Sequence, residues 1–137
     1  MGRILAIDYG AKRTGLAVTD PLQIIASGLT TVETPKLMGF LKKYIATEAV
    51  ELVLIGMPTN WDDSDTHATP LVQNFIKAFQ KVFPHVPIQT VDERYTSKLA
   101  TQAMLQMGLK KKQRQNKALV DEIAATILLQ EYLQHRQ

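Results

Sequence analysis

The order of strand-like and helix-like segments constrains the fold of this chain more than any other feature. Three strand-like runs come first, at residues 4–8, 16–18 and 24–33, and alternating helical and strand patterns follow. Short, continuously apolar runs at residues 51–56 and 86–91 are typical of buried parallel strands. The order βββαβαβαα therefore predicts an α/β fold with a mixed five-stranded sheet: three antiparallel strands, then parallel strands, with helices on both faces.

Four helices are predicted from apolar residues at helical spacing. They begin near Pro35, before Leu71, at Thr96 or Ser97, and at Asn116. In the second helix one stripe, which we expect to be buried, contains Leu71, Val72, Phe75, Ile76 and Phe79. Asn116 is the predicted N-cap of the last helix, because a short polar side chain there can accept hydrogen bonds from the first free N–H groups.

Composition limits the class of protein. A chain of 137 residues with 45% hydrophobic content can bury a core as one domain spanning residues 1–137. It contains no cysteine, so a disulfide framework and a thiolate metal site are excluded. No apolar run approaches the roughly 20 residues that span a bilayer, and no signal-peptide pattern is present. We expect a soluble, cytoplasmic protein without a membrane partner.

Acidic residues interrupt the apolar pattern at three separate places. Asp8 ends the first strand, Glu93 follows the fifth strand, and Asp121 lies within the last apolar helix. A buried carboxylate is costly unless it is paired, hydrogen-bonded or bound to a metal. In open α/β sheets, sites collect at the carboxyl ends of parallel strands. We therefore expect the three acids to form one site.

The last helix should direct Asp121 toward the sheet. Asp121 shares a helical face with Ala124, Ala125 and Leu128, and the small alanines would let the helix approach the sheet closely. The alternative role of an acid here is to stabilise the helix dipole. That role suits Glu122 better, because we expect its side chain to point elsewhere.

Three carboxylates without cysteine or a histidine pair favour hard cations such as Mg²⁺ or Mn²⁺. Two such ions roughly 4 Å apart can activate water and stabilise the leaving oxygen in phosphodiester hydrolysis. The residue types thus indicate a metal-dependent nuclease. Acids at strand ends also serve kinases and phosphatases, so the residue types alone leave those classes open.

Several residues near the predicted site could contact a phosphate backbone. Gly10, Lys12 and Arg13 lie in the first hairpin loop, where Gly10 could take a positive φ or let a phosphate approach the backbone. An ordinary hairpin with a charged tip explains Lys12 and Arg13 equally well. Arg94 could clamp a phosphate or orient Glu93.

Further substrate contacts are predicted at the loop after the fourth strand and before the last helix. Asn60 could position substrate or water, although asparagine is also a routine turn residue. The densest basic stretch contains Lys110, Lys111, Lys112 and Arg114. Its position before the helix of Asp121 favours contact with nucleic acid, and the formal charge of +3 fits a polyanionic partner. A solvated loop is the alternative.

Four motifs together resemble the YqgF family, also called RuvX-like. They are Asp8-Tyr9-Gly10 with Lys12-Arg13-Thr14-Gly15-Leu16-Ala17, Gly56-Met57-Pro58-Thr59-Asn60, Asp92-Glu93-Arg94-Tyr95-Thr96-Ser97, and Val120-Asp121 with Ala124-Ala125. The resemblance implies an RNase H-like fold related to RuvC-type resolvases. It also implies that Asp8, Glu93 and Asp121 bind metal and act in catalysis, and that the chain processes the 5′ end of pre-16S rRNA in ribosome biogenesis.

Other functions stay open at this stage. A Holliday junction resolvase would cut four-way DNA, and its symmetric substrate would favour a dimer. A non-catalytic nucleic-acid-binding protein is a weaker alternative, because all three acids are present. A two-lobed ATPase of the actin and sugar-kinase kind shares the first hairpin but needs a second lobe. The sequence does not choose between monomer and dimer, and a ribosomal particle is a candidate partner.

Overall fold

The computed structural model describes residues 2–57, 69–92 and 116–135. Within them the strands are β1 (Arg3–Asp8), β2 (Arg13–Thr19), β3 (Ala26–Glu33), β4 (Val50–Met57) and β5 (Ile88–Asp92). The helices are α1 (Leu37–Thr47), preceded by a 3₁₀ turn at Thr34–Lys36, α2 (Thr69–Val82) and α3 (Lys117–His135). The helix predicted after Thr96 or Ser97 lies outside the described residues.

The strands form one mixed sheet in the order β3-β2-β1-β4-β5. β1 pairs antiparallel with β2, and β2 pairs antiparallel with β3. β4 lies parallel to both β1 and β5. The predicted fold class is confirmed. Since β1, β4 and β5 run in one direction, their carboxyl ends share one edge of the sheet, where sites form in open α/β folds.

Alternating side chains of the central strands form two cores, one on each face of the sheet. On one face Leu5 and Ile7 of β1 pack against α1 and α2. On the other face Ile4 and Ala6 pack against α3. The α3 side of this second core contains Ala125, Leu128 and Leu129, all of them buried. Helices therefore cover both faces, as predicted.

The apolar stripe of α2 is narrower than the sequence pattern indicates. Val72, Phe75 and Phe79 are buried, but Leu71 is 43% exposed, so the prediction that Leu71 lies in the core is wrong. At 3.6 residues per turn, Leu71 is rotated about 100° from Val72 around the helix axis. Its side chain therefore falls beside the stripe.

No helix within residues 2–57, 69–92 and 116–135 is long and apolar enough to cross a membrane.

Candidate metal and nucleic-acid site

Asp8 lies at the carboxyl end of β1, on the sheet face that α3 covers. It follows Ala6 by two residues, and Ala6 packs in the core beneath α3. The side chain is half-buried at the end of an otherwise apolar strand. In the β1–β2 register the Cα partner of Asp8 is Gly15. The residue that faces α3 beside Asp8 therefore has no side chain.

Helix α3 uses this space to approach β2 closely. A Cβ atom on Gly15 would collide with the backbone carbonyl of Asp121 and with the amide of Glu122. Because Asp8 is the cross-strand partner of Gly15, this close approach brings Asp121 onto the same face and the same edge of the sheet as Asp8. The structure thus brings together two of the three acids that the sequence predicts as one site.

Two sets of hydrogen bonds fix the start of α3 above this edge. The side-chain oxygen of Asn116 accepts hydrogen bonds from the backbone amides of Ala118, at 3.0 Å, and Leu119, at 3.3 Å. This is the predicted N-cap. The hydroxyl of Thr31 in β3 donates to the carbonyl of Ala118 at 2.6 Å. Since Thr31 is the Cα partner of Gly15, this bond joins α3 to the same row of the sheet. The sequence carries no local signal for this contact.

Arg13 lies at the start of β2 and contacts Asp121 directly. Its Nε donates to Oδ2 of Asp121 at 3.2 Å. The side chains of Arg13 and Asp121 are 35% and 26% exposed, so the pair lies at the surface of the site and not inside the core. Arg13 was singled out by sequence as a phosphate ligand or a hairpin-tip charge, and neither interpretation includes this contact with an acid of the site.

The loop between β1 and β2 is held by Thr34, which follows β3. The hydroxyl of Thr34 donates to the carbonyl of Gly10 at 2.6 Å and lies 2.9 Å from the hydroxyl of Thr14. The amide of Thr34 donates to the carbonyl of Lys12 at 3.0 Å. A Cβ at position 10 would collide with the carbonyl of Arg13, and the φ of Gly10 is not in the left-handed region. Gly10 is therefore needed for the tight loop itself. Lys12 is exposed.

Tyr9 directs its ring away from the acids, into the opposite core. Its ring centroid lies 5.0 Å from that of Phe75 in α2. Burial raises the pKa of Tyr9 above its ordinary value. The phenol therefore stays neutral near pH 7 and adds no charge beside Asp8.

The position of Glu122 in α3 differs in part from the prediction made from the sequence. Its side chain lies over β3, where a Cβ on Gly28 would come within 2.5 Å of its Oε1 atom. Glu122 also follows the first turn of α3, which contains no acid. The side chain of Glu122 thus points away from the pair of Arg13 and Asp121, as predicted. The helix-dipole role predicted for it is wrong, because Glu122 lies beyond the first turn of α3.

The remaining predicted site residues lie outside the described residues: Asn60, Glu93, Arg94, Lys110, Lys111, Lys112 and Arg114. β5 ends at Asp92, the residue before Glu93. The Cα partner of Asp92 is Met57, the last residue of β4. The described ends of β4 and β5 thus lie at the edge of the sheet that carries Asp8.

The donor set suits a hard divalent cation. Within residues 2–57, 69–92 and 116–135, no group of three or more histidine, cysteine or acidic side chains is gathered closely enough to hold a metal ion. Asp8 and Asp121 supply carboxylate oxygens from one face of the sheet, and oxygen ligands are those that Mg²⁺ and Mn²⁺ prefer. The two described acids fit such an ion, and a third ligand would complete the site.

The order of the strands and the helices on both faces define an RNase H-like α/β protein. The RuvC protein of Thermus thermophilus, solved in complex with a Holliday junction substrate, has a similar fold, with a TM-score of 0.51. The alignment covers 99% of this chain and 97% of that chain, at 18% sequence identity. At this identity the likeness establishes the fold alone.

Sequence relatives identify the family within this class. The family model described as "RuvX: Holliday junction resolvase" matches residues 2–135. A protein of Christiangramia forsetii is 58% identical over 133 residues, which cover 97% of this chain and 98% of the relative. A protein of Flavobacterium johnsoniae is 55% identical over 137 residues, covering 100% and 99%. Both are provisionally named pre-16S rRNA nucleases. The chain belongs to the RuvX family, which confirms the resemblance found in its motifs.

Proposed function

We propose that this chain is a metal-dependent nuclease that hydrolyses phosphodiester bonds at the 5′ end of pre-16S rRNA. The observation that carries the proposal is the joint placement of Asp8 and Asp121 at one edge of the sheet, which Gly15 makes sterically feasible. Two carboxylates on one face of the sheet repel each other, and a shared divalent cation would offset this repulsion.

The catalytic unit in this proposal is Asp8, Glu93 and Asp121. Asp8 and Asp121 are held by rigid elements, a central strand and a capped helix, which suits a constellation that must keep its geometry. Glu93 follows β5, which runs parallel to β1 with β4 between them, and would supply the third carboxylate. Bound Mg²⁺ or Mn²⁺ ions, in a two-metal arrangement, would activate water and stabilise the leaving oxygen. The carboxylates would hold and orient these ions.

Cationic and polar residues around this edge would bind the substrate. Gly10 and Lys12 belong to the loop that Thr34 holds in place, and Lys12 is exposed beside the carboxyl end of β1. Asn60 and Arg94 follow β4 and β5, and the basic stretch of Lys110, Lys111, Lys112 and Arg114 precedes α3. Phosphate contacts by such side chains would make binding weaken as salt concentration rises.

The names of the relatives support precursor rRNA as the substrate. Proteins more than half identical over nearly the whole chain are provisionally named pre-16S rRNA nucleases. On this proposal the chain acts as one domain, residues 1–137, in the cytoplasm, with a pre-ribosomal particle as its partner.

A second candidate function is resolution of four-way DNA. The specific observation in its favour is the description of the matching family model, which reads Holliday junction resolvase. A resolvase cuts two strands symmetrically and so requires two copies of the site.

The test is cleavage of a labelled precursor rRNA 5′ leader and of a four-way DNA junction, with Mg²⁺ or Mn²⁺. Wild type is compared with Asp8→Asn and with Glu131→Gln, a matched amide substitution at an exposed position of α3. We expect the RNA to be cut by wild type and Glu131→Gln and not by folded Asp8→Asn. Symmetric cutting of the junction alone favours the resolvase. Full activity of Asp8→Asn contradicts both functions.

A further inference from the structure

The ion pair between Arg13 and Asp121 joins a predicted substrate cation to a predicted metal ligand. We propose that Arg13 is the resident counter-ion of Asp121 in the metal-free site, and that it yields this carboxylate when a divalent cation binds. The guanidinium is then free for a phosphate of the substrate. This inference rests on the proposed function, because it requires Asp121 to be a metal ligand.

The position of Arg13 on the sheet explains how it reaches the site. Arg13 precedes Gly15 by two residues of β2, so both face α3. The backbone of α3 lies against Gly15 at Asp121, which brings that carboxylate within reach of Arg13. The contact at 3.2 Å uses Nε, one of the five N–H donors of the guanidinium. The geometry therefore suits a cation that can engage an acid and a phosphate in turn.

Arg13 has a second acidic residue, Glu33, on the neighbouring strand. Its Cα partner across the β2–β3 pair is Glu33. Glu33 instead lies 3.7 Å from Nζ of Lys36, three residues along the chain. Arg13 instead reaches across to α3 and pairs with Asp121.

The exposure of the pair makes it exchangeable. With the two side chains 35% and 26% exposed, solvent screens their attraction. A partly exposed ion pair contributes little free energy, so a divalent cation can replace it at small cost. A fully buried pair would instead hold Asp121 against the metal.

In a purely structural role, the ion pair of Arg13 would only hold α3 against β2. The start of α3 is already fixed by the Asn116 cap, by the hydrogen bond from Thr31 and by the packing of Ala125 over the sheet. The ion pair would add little stability to these contacts. The two roles differ in what they predict for metal affinity, since only a counter-ion competes with the metal.

The test measures Mn²⁺ affinity by electron paramagnetic resonance or calorimetry, without substrate. It compares wild type with Arg13→Gln, Arg13→Lys and Asp121→Asn. The matched control is Arg3→Gln, which removes the same charge from a pair with Glu48 at the opposite end of β1. We expect Arg13→Gln to bind Mn²⁺ about three- to fivefold more tightly, because the competing cation is gone. Arg13→Lys and Arg3→Gln should stay within about twofold of wild type.

A second readout uses the wild-type protein and is independent of folding of the variants. Titration with diamagnetic Mg²⁺ should shift the Nε–H resonance of Arg13 in the NMR spectrum as the hydrogen bond to Asp121 is lost. The Nε–H resonance of Arg3 should not move. Weaker RNA binding by Arg13→Gln, despite tighter Mn²⁺ binding, is the expected sign that the guanidinium serves the phosphate.

The outcomes separate the inference from the proposed function. If wild type binds Mn²⁺ and Asp121→Asn weakens it, but Arg13→Gln leaves the affinity unchanged or lower and the Arg13 signal does not shift, only the inference is overturned. If Asp121→Asn binds Mn²⁺ as wild type does, Asp121 is not a ligand, and the proposed site falls together with the inference.

Discussion

The backbone carbonyl of Asp121 lies where a side chain on Gly15 would have to stand. Gly15 is also the strand partner of Asp8, so one residue without a side chain sets the approach of α3 and the nearness of two acids. A Cβ at position 15 would clash with backbone atoms of α3, and no change of side-chain rotamer could relieve the clash. Glycine at position 15 is therefore needed both for the packing of α3 on β2 and for the placement of Asp121 beside Asp8.

We expect Gly15→Ala to lower both stability and activity. The added methyl must push α3 away from β2, and overpacking of this kind costs about 1–3 kcal/mol. Displacement of Asp121 by about 1 Å should reduce cleavage about 100-fold. Denaturant unfolding and single-turnover cleavage under conditions where the variant is folded would measure the two effects separately.

The matched control for this substitution is Gly39→Ala in α1. A Cβ at position 39 meets no atom within 4 Å, and the residue is exposed. Alanine should stabilise the helix there by about 0.5–1 kcal/mol without changing cleavage. Equal behaviour of the two alanine variants would contradict the steric role given to Gly15.

The spacing of apolar residues and the order of strand-like and helix-like segments predicted most of the fold, because each segment is recognised from neighbouring residues alone. Strand-like runs predicted the five strands found in the described part of the chain, and the polar residue before an apolar helix predicted the Asn116 cap. The exposure of Leu71 was missed because its position at the border of a stripe depends on how α2 sits on the sheet. The rotation of α2 about its own axis relative to the sheet is set by tertiary packing, and the spacing of apolar residues along the chain does not reveal it.

The sequence predicted the acidic residues of the candidate site but not the residues that hold them in place. Asp8 and Asp121 stood out because each breaks an apolar pattern. Thr31 bonds a residue 87 positions away, and Arg13 pairs with one 108 positions away. Polar residues in a strand or hairpin carry no signal for such distant partners. Only the close approach of α3 to β2 and β3 brings them together.

Removal of the N-cap should loosen the start of α3. We expect Asn116→Ala to lower the free energy of unfolding by about 1 kcal/mol, because two backbone amides lose their acceptor. Asn74→Ala, at an exposed position of α2, is the matched control and should change stability by less than about 0.5 kcal/mol. Hydrogen exchange should become faster at Ala118 and Leu119. Unchanged exchange at these two amides would contradict the capping role.

The hairpin loop depends on Thr34 in a similar way. We expect Thr34→Val to cost about 1–2 kcal/mol, since the carbonyl of Gly10 loses its donor and the hydroxyl of Thr14 loses its partner. Substrate binding should weaken as well, because the loop carries Lys12. Thr47→Val, at the exposed end of α1, is the comparison and should affect stability alone. Equal RNA affinity in wild type and Thr34→Val would contradict the link between loop and substrate.

At the opposite end of the sheet, the carboxylate of Asp20 organises the turn between β2 and β3. It accepts backbone hydrogen bonds from Leu22, Ile24 and Ile25 at 3.1, 2.8 and 2.7 Å. Gln23, at φ 62°, turns its side chain inward to the carbonyl of Gly2. The hydrogen bond from Ile25, followed by those from Ile24 and Leu22, holds the pKa of Asp20 below its ordinary value of 3.8.

This lowered pKa gives a stability effect of defined sign. A carboxyl group whose pKa is lower in the folded state stabilises the fold above its unfolded pKa, and the effect disappears as the pH falls through the folded pKa. We expect wild type to exceed Asp20→Asn in free energy of unfolding at pH 7, and the difference to shrink below about pH 4. Other carboxyl groups titrate in both proteins and cancel from the comparison. Urea unfolding of the pair from pH 7 to pH 2.5 measures the difference, and a constant value across this range would show that the charge of Asp20 does not hold the turn.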